Sequence, residues 1–336
     1  MFGLKEKFFP KGYRRFVGNT LNKVLHRTTL HDFTRTFERM EVPEGAVICV
    51  HGAMSGFGYI PEGPTAPLIA LCKTVKDCTL MMPSFPFSGT TAKYLATDPV
   101  FDRDRTPSAS GLLSEMFRRM PGTLRSLHPT HPCVALGSRS TELIDGSEQA
   151  QTPFGDDSTY GRFSKMPDAY MVLLHTNSTS YVHRLQEIVQ WPNLFFELPG
   201  QARALAPNGV IQTFQVAAHR PTLPLYVAID SDDDAYVEYL WMPDYVLQFP
   251  SARQEYIHNK LKSKKAREHL SARQEQLLKS GTLKIAKCGE GEVMLVKIRP
   301  WTDVIVADIK RNFVEFPGAY RLNDLEIANR EGRLTR

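Results

Sequence analysis

The stretch NSTSYVHRLQEIV, residues 177–189, carries one imidazole, His183, three residues ahead of Gln186 and four ahead of Glu187. Histidine is the side chain whose proton moves near neutral pH. Ser178, Thr179 or Ser180 can cap a helix starting there, which puts His183 in the first turn. The positive end of the helix dipole then disfavours imidazolium and keeps the base free. Positions three and four residues on share one helical face, so Gln186 or Glu187 can orient the ring. A lone histidine in a helix is also a common core residue, and its surroundings decide which it is.

Two further stretches hold chemistry. In VICVHGAMSGFG, residues 47–58, a run of β-formers stops at His51-Gly52 and opens into a loop of small residues. Free backbone N–H groups of Gly52, Ala53, Met54 and Ser55, between a strand and a helix, suit an anion such as a phosphate. In RSLHPTHPCVALG, Arg125 suits an anion or an ordinary salt bridge. His128 and His131 stand beside prolines and read as residues that pin the loop; no convergent third ligand accompanies them, so no metal site is expected.

The elements that must position these residues follow from periodicity and capping. LHDFTRTFERM, residues 30–40, has helical spacing, and AVICV is a strand. Thr65 and Pro67 open a helix in GPTAPLIALCKTVK. TLMMPSF is a second strand, a capped helix begins near TPSASGLLSEMFRRM, and DAYMVLLH is a buried strand that runs into the His183 helix. Strands alternating with helices predict an α/β domain with a mostly parallel or mixed sheet. After Pro199 the order loosens: VIQTFQVAAHR and LPLYVAI are rich in β-formers, and a charged helix is expected from about Ser251 to Ser280. Residues 200–280 are therefore read as an insertion or subdomain. A hairpin and helix in TLKIAKCGEGEVMLVKIRPWTDVIVADIKRN complete the main sheet late in the chain.

Composition sets the class. The 336 residues, 42% hydrophobic and 23% charged, are those of a soluble globular protein. A formal charge of +5, from 41 basic and 36 acidic residues, suits an acidic small partner and does not imply nucleic acid. Residues 1–27 form a basic extension in which Lys5, Lys7, Lys11, Arg14, Arg15, Lys23 and Arg27 face only Glu6. It reads as a helix packed on the domain with a solvated basic face, the alternative being contact with an anionic membrane surface. Lys5, Lys7, Pro10 and Lys11 interrupt any secretory apolar run, so the expected location is the cytoplasm. Cys49, Cys72, Cys78, Cys133 and Cys288 lack CxxC spacing and are expected to be buried thiols in a reducing compartment.

The loop at His51-Gly52 also suits the oxyanion loop of an α/β-hydrolase. That enzyme needs its serine in G-x-S-x-G and a histidine late in the chain. Ser55 sits in GAMSG, one residue out of register, and no histidine follows His269. Ser55, Ser84 and Ser126 are read instead as hydrogen-bonding residues that hold loops.

Taken in order, VHGAMSGFG, TLMMPSFPFSGT, FDRDRTPSASGLLSEMFRRMPGTLRSLHPTHPCVALG, PFGDDSTYGRF and NSTSYVHRLQE resemble the aminoglycoside 3-N-acetyltransferase family. The resemblance runs from about Thr28 to Phe163, continues through Trp191 and returns at residues 281–315. Arg125, Ser126, His128 and Pro129 match the family's Arg-Ser-x-His-Pro. The resemblance implies an α/β acyltransferase domain over residues 28–336, a mixed central β-sheet flanked by helices, that transfers an acyl group from coenzyme A to an amino group on a sugar-like ring. His51 to Ser55 and the Arg125-Ser126-Leu127 loop would then lie along the coenzyme. His183 would be the general base that frees the attacking amine. The family carries Glu three residues after this histidine; here Gln186 stands there and Glu187 follows, which also leaves open a member that has kept the fold and lost activity. A polycationic antibiotic acceptor would favour an acidic lining, for which Asp230 and Asp232 to Asp234 are candidates. The long insertion and basic extension suit a bulkier, anionic acceptor. The expected acceptor is thus a nucleotide-linked or polysaccharide amino sugar, with aminoglycoside antibiotics as the alternative.

Overall fold

The computed structural model describes residues 26–190, 194–195, 200–206, 208–219, 226–228, 236–238 and 264–315. The basic extension up to residue 25, the acidic loop at 230–234 and residues 251–263 of the expected charged helix lie outside the described residues.

In chain order the main elements are α1 (Leu30–Met40), β1 (Val47–Gly52), α2 (Ala66–Thr74), β2 (Thr79–Pro83), α3 (Thr91–Leu95), β3 (Val100–Asp102) and α4 (Leu112–Arg118). They continue as β4 (Leu124–Arg125), β5 (Cys133–Leu136), α5 (Ser140–Ile144), α6 (Thr159–Lys165), β6 (Ala169–Leu174) and α7 (Tyr181–Ile188). The remainder are β7 (Gly200–Leu205), β8 (Ile211–Val216), β9 (Tyr226–Ala228), β10 (Tyr236–Glu238), α8 (Lys264–Lys279), β11 (Leu283–Cys288), β12 (Gly291–Lys297) and α9 (Ile298–Glu315).

The central sheet has seven strands in the order β11-β12-β6-β1-β2-β5-β4. β1 pairs parallel with β2 and β6. β12 joins β6 antiparallel, and β5 joins β2 antiparallel, so the sheet is mixed as the sequence predicts. The late hairpin β11-β12 does complete one side of it. The motif RSLHPTHPCVALG spans the β4-β5 hairpin at the other side: Arg125 ends β4, Cys133–Leu136 form β5, and the residues between them are the loop read from sequence. β7 and β8 leave this sheet and pair with β3 in a small separate one around Phe101, Ala202, Ala204 and Phe214.

Alternation along β1 builds both layers, because successive side chains of a strand face opposite sides. Val47 and Cys49 face one side, with Phe154, Tyr160, Tyr181 and Trp301 from the α6, α7 and α9 layer. Ile48 and Val50 face the other, with Phe33, Phe37, Phe57 and Leu71. All four strand residues are fully buried, as a strand covered on both faces requires. α1 is held at its start by a capping box, Thr29 accepting from the Asp32 amide while Asp32 accepts from the Thr29 amide. The helix at 112–118 departs from expectation: no serine or threonine caps it, and Gly111 occupies the cap.

Cys49, Cys133 and Cys288 are buried free thiols, while Cys72 is exposed and Cys78 partly so, which corrects the expectation that all five are buried. Among the described residues no helix is long and apolar enough to cross a membrane. Trp301 is wholly buried at the heart of the α9 layer. Trp301→Ala should therefore lower unfolding free energy by about 3–5 kcal/mol in urea denaturation, the cost typical of an emptied aromatic site.

Candidate active site

β1 has β2 on one side and β6 on the other. In open α/β sheets ligands bind beyond the carboxyl ends of strands, where the connections diverge. The 52–58 loop, the Ser84 loop and the 175–180 segment all leave the sheet at that edge.

The 52–55 loop is built as the sequence predicts, with a change in which amides are open. The Ala53 amide donates to Leu174 O at 2.9 Å, tying the loop to β6. Met54 and Ser55 begin a 3-10 turn, whose first amides have no partner within the turn. Gly52 and Ser55 are exposed. Gly56 lets the loop lie flat on His175, since a Cβ there would run into the His175 ring.

His51, expected at the coenzyme, turns inward instead. Its position on β1 puts it on the same face as Cys49, so its ring enters the core. Its Nε2 lies 3.1 Å from Thr179 Oγ1 and 3.5 Å from Cys49 Sγ. Burial pushes its pKa down to about 4. Thr179 also accepts the Tyr181 amide at 3.1 Å. Of the three residues proposed as caps, Thr179 makes this bond, and it links the end of β1 to the start of α7.

α7 carries the candidate base. His183 Nδ1 lies 2.8 Å from Gln186 Oε1. A carbonyl oxygen only accepts, so Nδ1 bears the proton and Nε2 keeps its lone pair. The ring packs on Phe154 and His219, with centroids 5.1 and 5.2 Å away. Burial, then repulsion from His219, push its pKa down to about 4, against a smaller upward pull from Gln186. Gln186, not Glu187, therefore orients His183.

Glu187 serves another imidazole. It accepts from His219 Nε2 at 2.7 Å, the Phe154 amide at 3.1 Å and Thr152 Oγ1 at 2.5 Å. His219 was not singled out in the sequence, where VIQTFQVAAHR reads only as a strand; nothing local marks it. Phe154 was likewise visible only as part of the family pattern. His131 completes the cluster, its ring 5.3 Å from Phe154 and 4.8 Å from Phe85. Burial, with His128, His219 and His183 nearby, holds it well below the usual range. A partly exposed aromatic wall runs outward from His131, with Phe85 6.3 Å from Phe87 and Phe87 5.0 Å from Tyr94.

The side chains of the 125–127 loop, expected along the coenzyme, are already taken. The buried Arg125 guanidinium donates to Arg103 O, Thr106 O and Ser84 O at 3.1, 2.5 and 2.6 Å. It also lies 4.8 Å over the Phe101 ring. Burial and Arg118 push its pKa down to about 10. Ser126 Oγ accepts the Cys133 amide at 3.0 Å, and Leu127 packs on the small sheet. Ser84 positions its loop through its backbone: its amide donates to Pro132 O and its carbonyl accepts from Arg125, while its buried hydroxyl has no partner among the described residues. His128 Nδ1 accepts the Thr130 and His131 amides at 3.3 and 3.0 Å, within the turn before β5. Among the described residues no group of three or more metal-binding side chains converges.

The family model for aminoglycoside 3-N-acetyltransferase matches residues 49–310, and the chain belongs to that family. It is 23% identical over 175 residues to the SPbeta prophage-derived aminoglycoside N(3')-acetyltransferase-like protein of Bacillus subtilis (strain 168), covering 46% of this chain and 64% of that one. It is 29% identical over 155 residues to aminoglycoside N(3)-acetyltransferase VII of Streptomyces paromomycinus, covering 41% and 53%. The matched stretch is thus less than two thirds of either relative's length. Among solved structures, AAC-IIIb binary with CoASH superposes with a TM-score of 0.63 at 18% identity over 84% of this chain and 96% of that one. Aminoglycoside acetyltransferase AAC(3)-Xa gives 0.61 at 20% over 90% and 98%. These likenesses establish the fold.

Two outcomes follow. Arg125→Ala should cost about 3 kcal/mol or more in chemical denaturation, because three buried carbonyls lose their donor; Arg125→Lys should recover little, since an ammonium lacks the guanidinium's fork. The second concerns pH. His51, His128 and His183 have folded pKa values of about 4 against an ordinary 6.5. Between those values the folded state binds fewer protons than the unfolded state, so stability is full above pH 6.5 and is lost as pH falls toward 4. Urea midpoints from pH 7.5 to 4.5 should drop across that window; a flat profile would show that these rings are not held neutral.

Proposed function

We propose that the protein is an acyl-coenzyme A-dependent N-acyltransferase that acylates an amino group of an aminoglycoside-type ring, with His183 as general base. The observation that carries this is the His183–Gln186 hydrogen bond, which leaves an unprotonated Nε2 on a ring kept neutral by burial. An amine attacking an acyl carbon must shed a proton, and a neutral imidazole is suited to take it at physiological pH. Gln186 fixes the tautomer without adding charge, so its replacement of the expected glutamate leaves a base in place. The reading of an inactive family member is accordingly not adopted.

The sequence placed nucleotide-linked or polysaccharide amino sugars first. The family and the curated relatives, described as aminoglycoside N-acetyltransferases, favour the alternative acceptor, and neighbours solved with a gentamicin and with sisomicin support it. The coenzyme is supported by the neighbour described with CoASH. The 52–55 loop fits its phosphates: Gly52 and Ser55 are exposed, Met54 is its one large side chain, and the amides of Met54 and Ser55 lead the 3-10 turn. When bound, coenzyme A supplies the acyl group as an activated thioester. The contribution expected of the 125–127 loop is indirect, since Arg125 braces the Ser84 loop beside it. A serine hydrolase finds little support: the Ser84 hydroxyl has no partner among the described residues, and that of Ser126 is spent on the Cys133 amide.

His183→Ala should lower the rate of acetyl transfer to sisomicin by about 10²- to 10⁴-fold while coenzyme A affinity stays nearly unchanged. Gln186→Glu should raise the imidazole pKa and move the acid limb of the pH–rate profile upward. Full activity in His183→Ala would remove the mechanism; thiol release that needs no acceptor would point to hydrolysis.

A further inference from the structure

An ammonium group loses two protons on becoming an amide nitrogen. One must leave before the nitrogen has a lone pair to attack with, and the second leaves as the C–N bond forms and the C–S bond breaks. One of the two ends on the departing thiolate and the other reaches solvent. A single imidazole does not account for both.

We propose that the Glu187–His219 pair is the acceptor of the first proton: His219 Nδ1 takes it from the bound ammonium, and His183 Nε2 takes the second. This rests on the acyltransferase reading above. Glu187 accepts from His219 Nε2 at 2.7 Å, and a carboxylate on that nitrogen requires the proton there. In the resting state of this proposal the ring is neutral, which makes Nδ1 the lone-pair nitrogen. It is buried and has no hydrogen-bond partner among the described residues, in a side chain only 8% exposed. A buried polar atom without a partner is uncommon enough to need a reason, and here it lies on the ring next to the candidate base. The two imidazoles pack edge to face at 5.2 Å and share Phe154 as a floor, at 5.1 and 5.4 Å.

The surrounding charges suit a cation. From α7, His183 and Glu187 face His219; from the loop before β5, His131 faces it across Phe154, with His128 behind. Of the cations on the cleft that Glu187 lines, Arg184 is spent on Phe154 O and Asp156 and Lys165 pairs with Asp156, while Arg299 also lines it. A neutral imidazole with a carboxylate carries one net negative charge, which attracts an ammonium and becomes neutral overall once the proton has moved. Glu187 also lines a cleft of about 870 Å³ with Asp156, Arg184, Arg299 and Asp303, which gives that proton a way out.

The test uses the full chain with acetyl-coenzyme A and sisomicin. His219→Gln and Glu187→Gln should each lower kcat/KM for sisomicin by about 10²-fold near neutrality. Both should regain most of it at alkaline pH, where the amine is already neutral, and the KM for acetyl-coenzyme A should not move. His183→Ala should regain nothing. A loss of equal size at every pH would make the pair a structural prop and overturn the assignment. A second readout needs neither acyl donor nor variant activity. In ¹⁵N NMR of the unaltered protein, sisomicin alone should move the His219 Nδ1 signal toward its protonated position; an unmoved signal overturns the assignment even where a variant fails to fold. If the unaltered protein transfers acetyl to no amine, the acyltransferase reading falls and this assignment with it. If it transfers normally and only the pH recovery fails, the first reading stands and this one does not.

Discussion

The site hangs on one buried residue, Phe154. Its ring touches the three imidazoles of His131, His183 and His219, while its amide holds Glu187 and its carbonyl receives Arg184. A phenyl ring offers no hydrogen bond, so each imidazole around it must find its partner elsewhere: Thr130 for His131, Gln186 for His183, Glu187 for His219. The same ring keeps water from His131 and His183, and desolvation holds both below the ordinary imidazole range. Geometry and proton state therefore come from a single packing arrangement.

Around this centre most of the polar motif residues act as architecture. The Arg-Ser-x-His-Pro segment does not reach outward. Arg125 clamps the loops at 84, 103 and 106, Ser126 stitches β4 to β5, and His128 closes the turn that presents His131. His51 likewise ties β1 to Thr179 just ahead of α7. The chemistry proposed above then falls to a few atoms: the Met54 and Ser55 amides, His183 Nε2 and His219 Nδ1.

Much of the fold was legible because its signals are local. The α1 helix follows from the spacing of Phe33, Phe37 and Met40, and β1 from its unbroken apolar run; both occur where expected. The start of α7, and with it the place of His183, followed from the Asn-Ser-Thr-Ser stretch. What stayed hidden was long-range. Whether Gln186 or Glu187 meets the ring depends on side-chain direction within one helical turn, and Glu187 is drawn off by Thr152, Phe154 and His219, which are distant in sequence. The inward turn of His51 depends on the parity of β1 against the α7 layer. The β4-β5 hairpin was missed because its prolines and histidines read as loop.

The central claim is that His183 is a neutral imidazole with its proton on Nδ1 and a free Nε2. ¹⁵N and ¹H NMR of the imidazole rings across pH tests it most directly, reading the tautomer and the titration together. The structure predicts an Nδ1–H tautomer for His183 that persists through neutrality and protonates only near pH 4. An Nε2–H tautomer, or titration at the ordinary 6.5, would contradict the account.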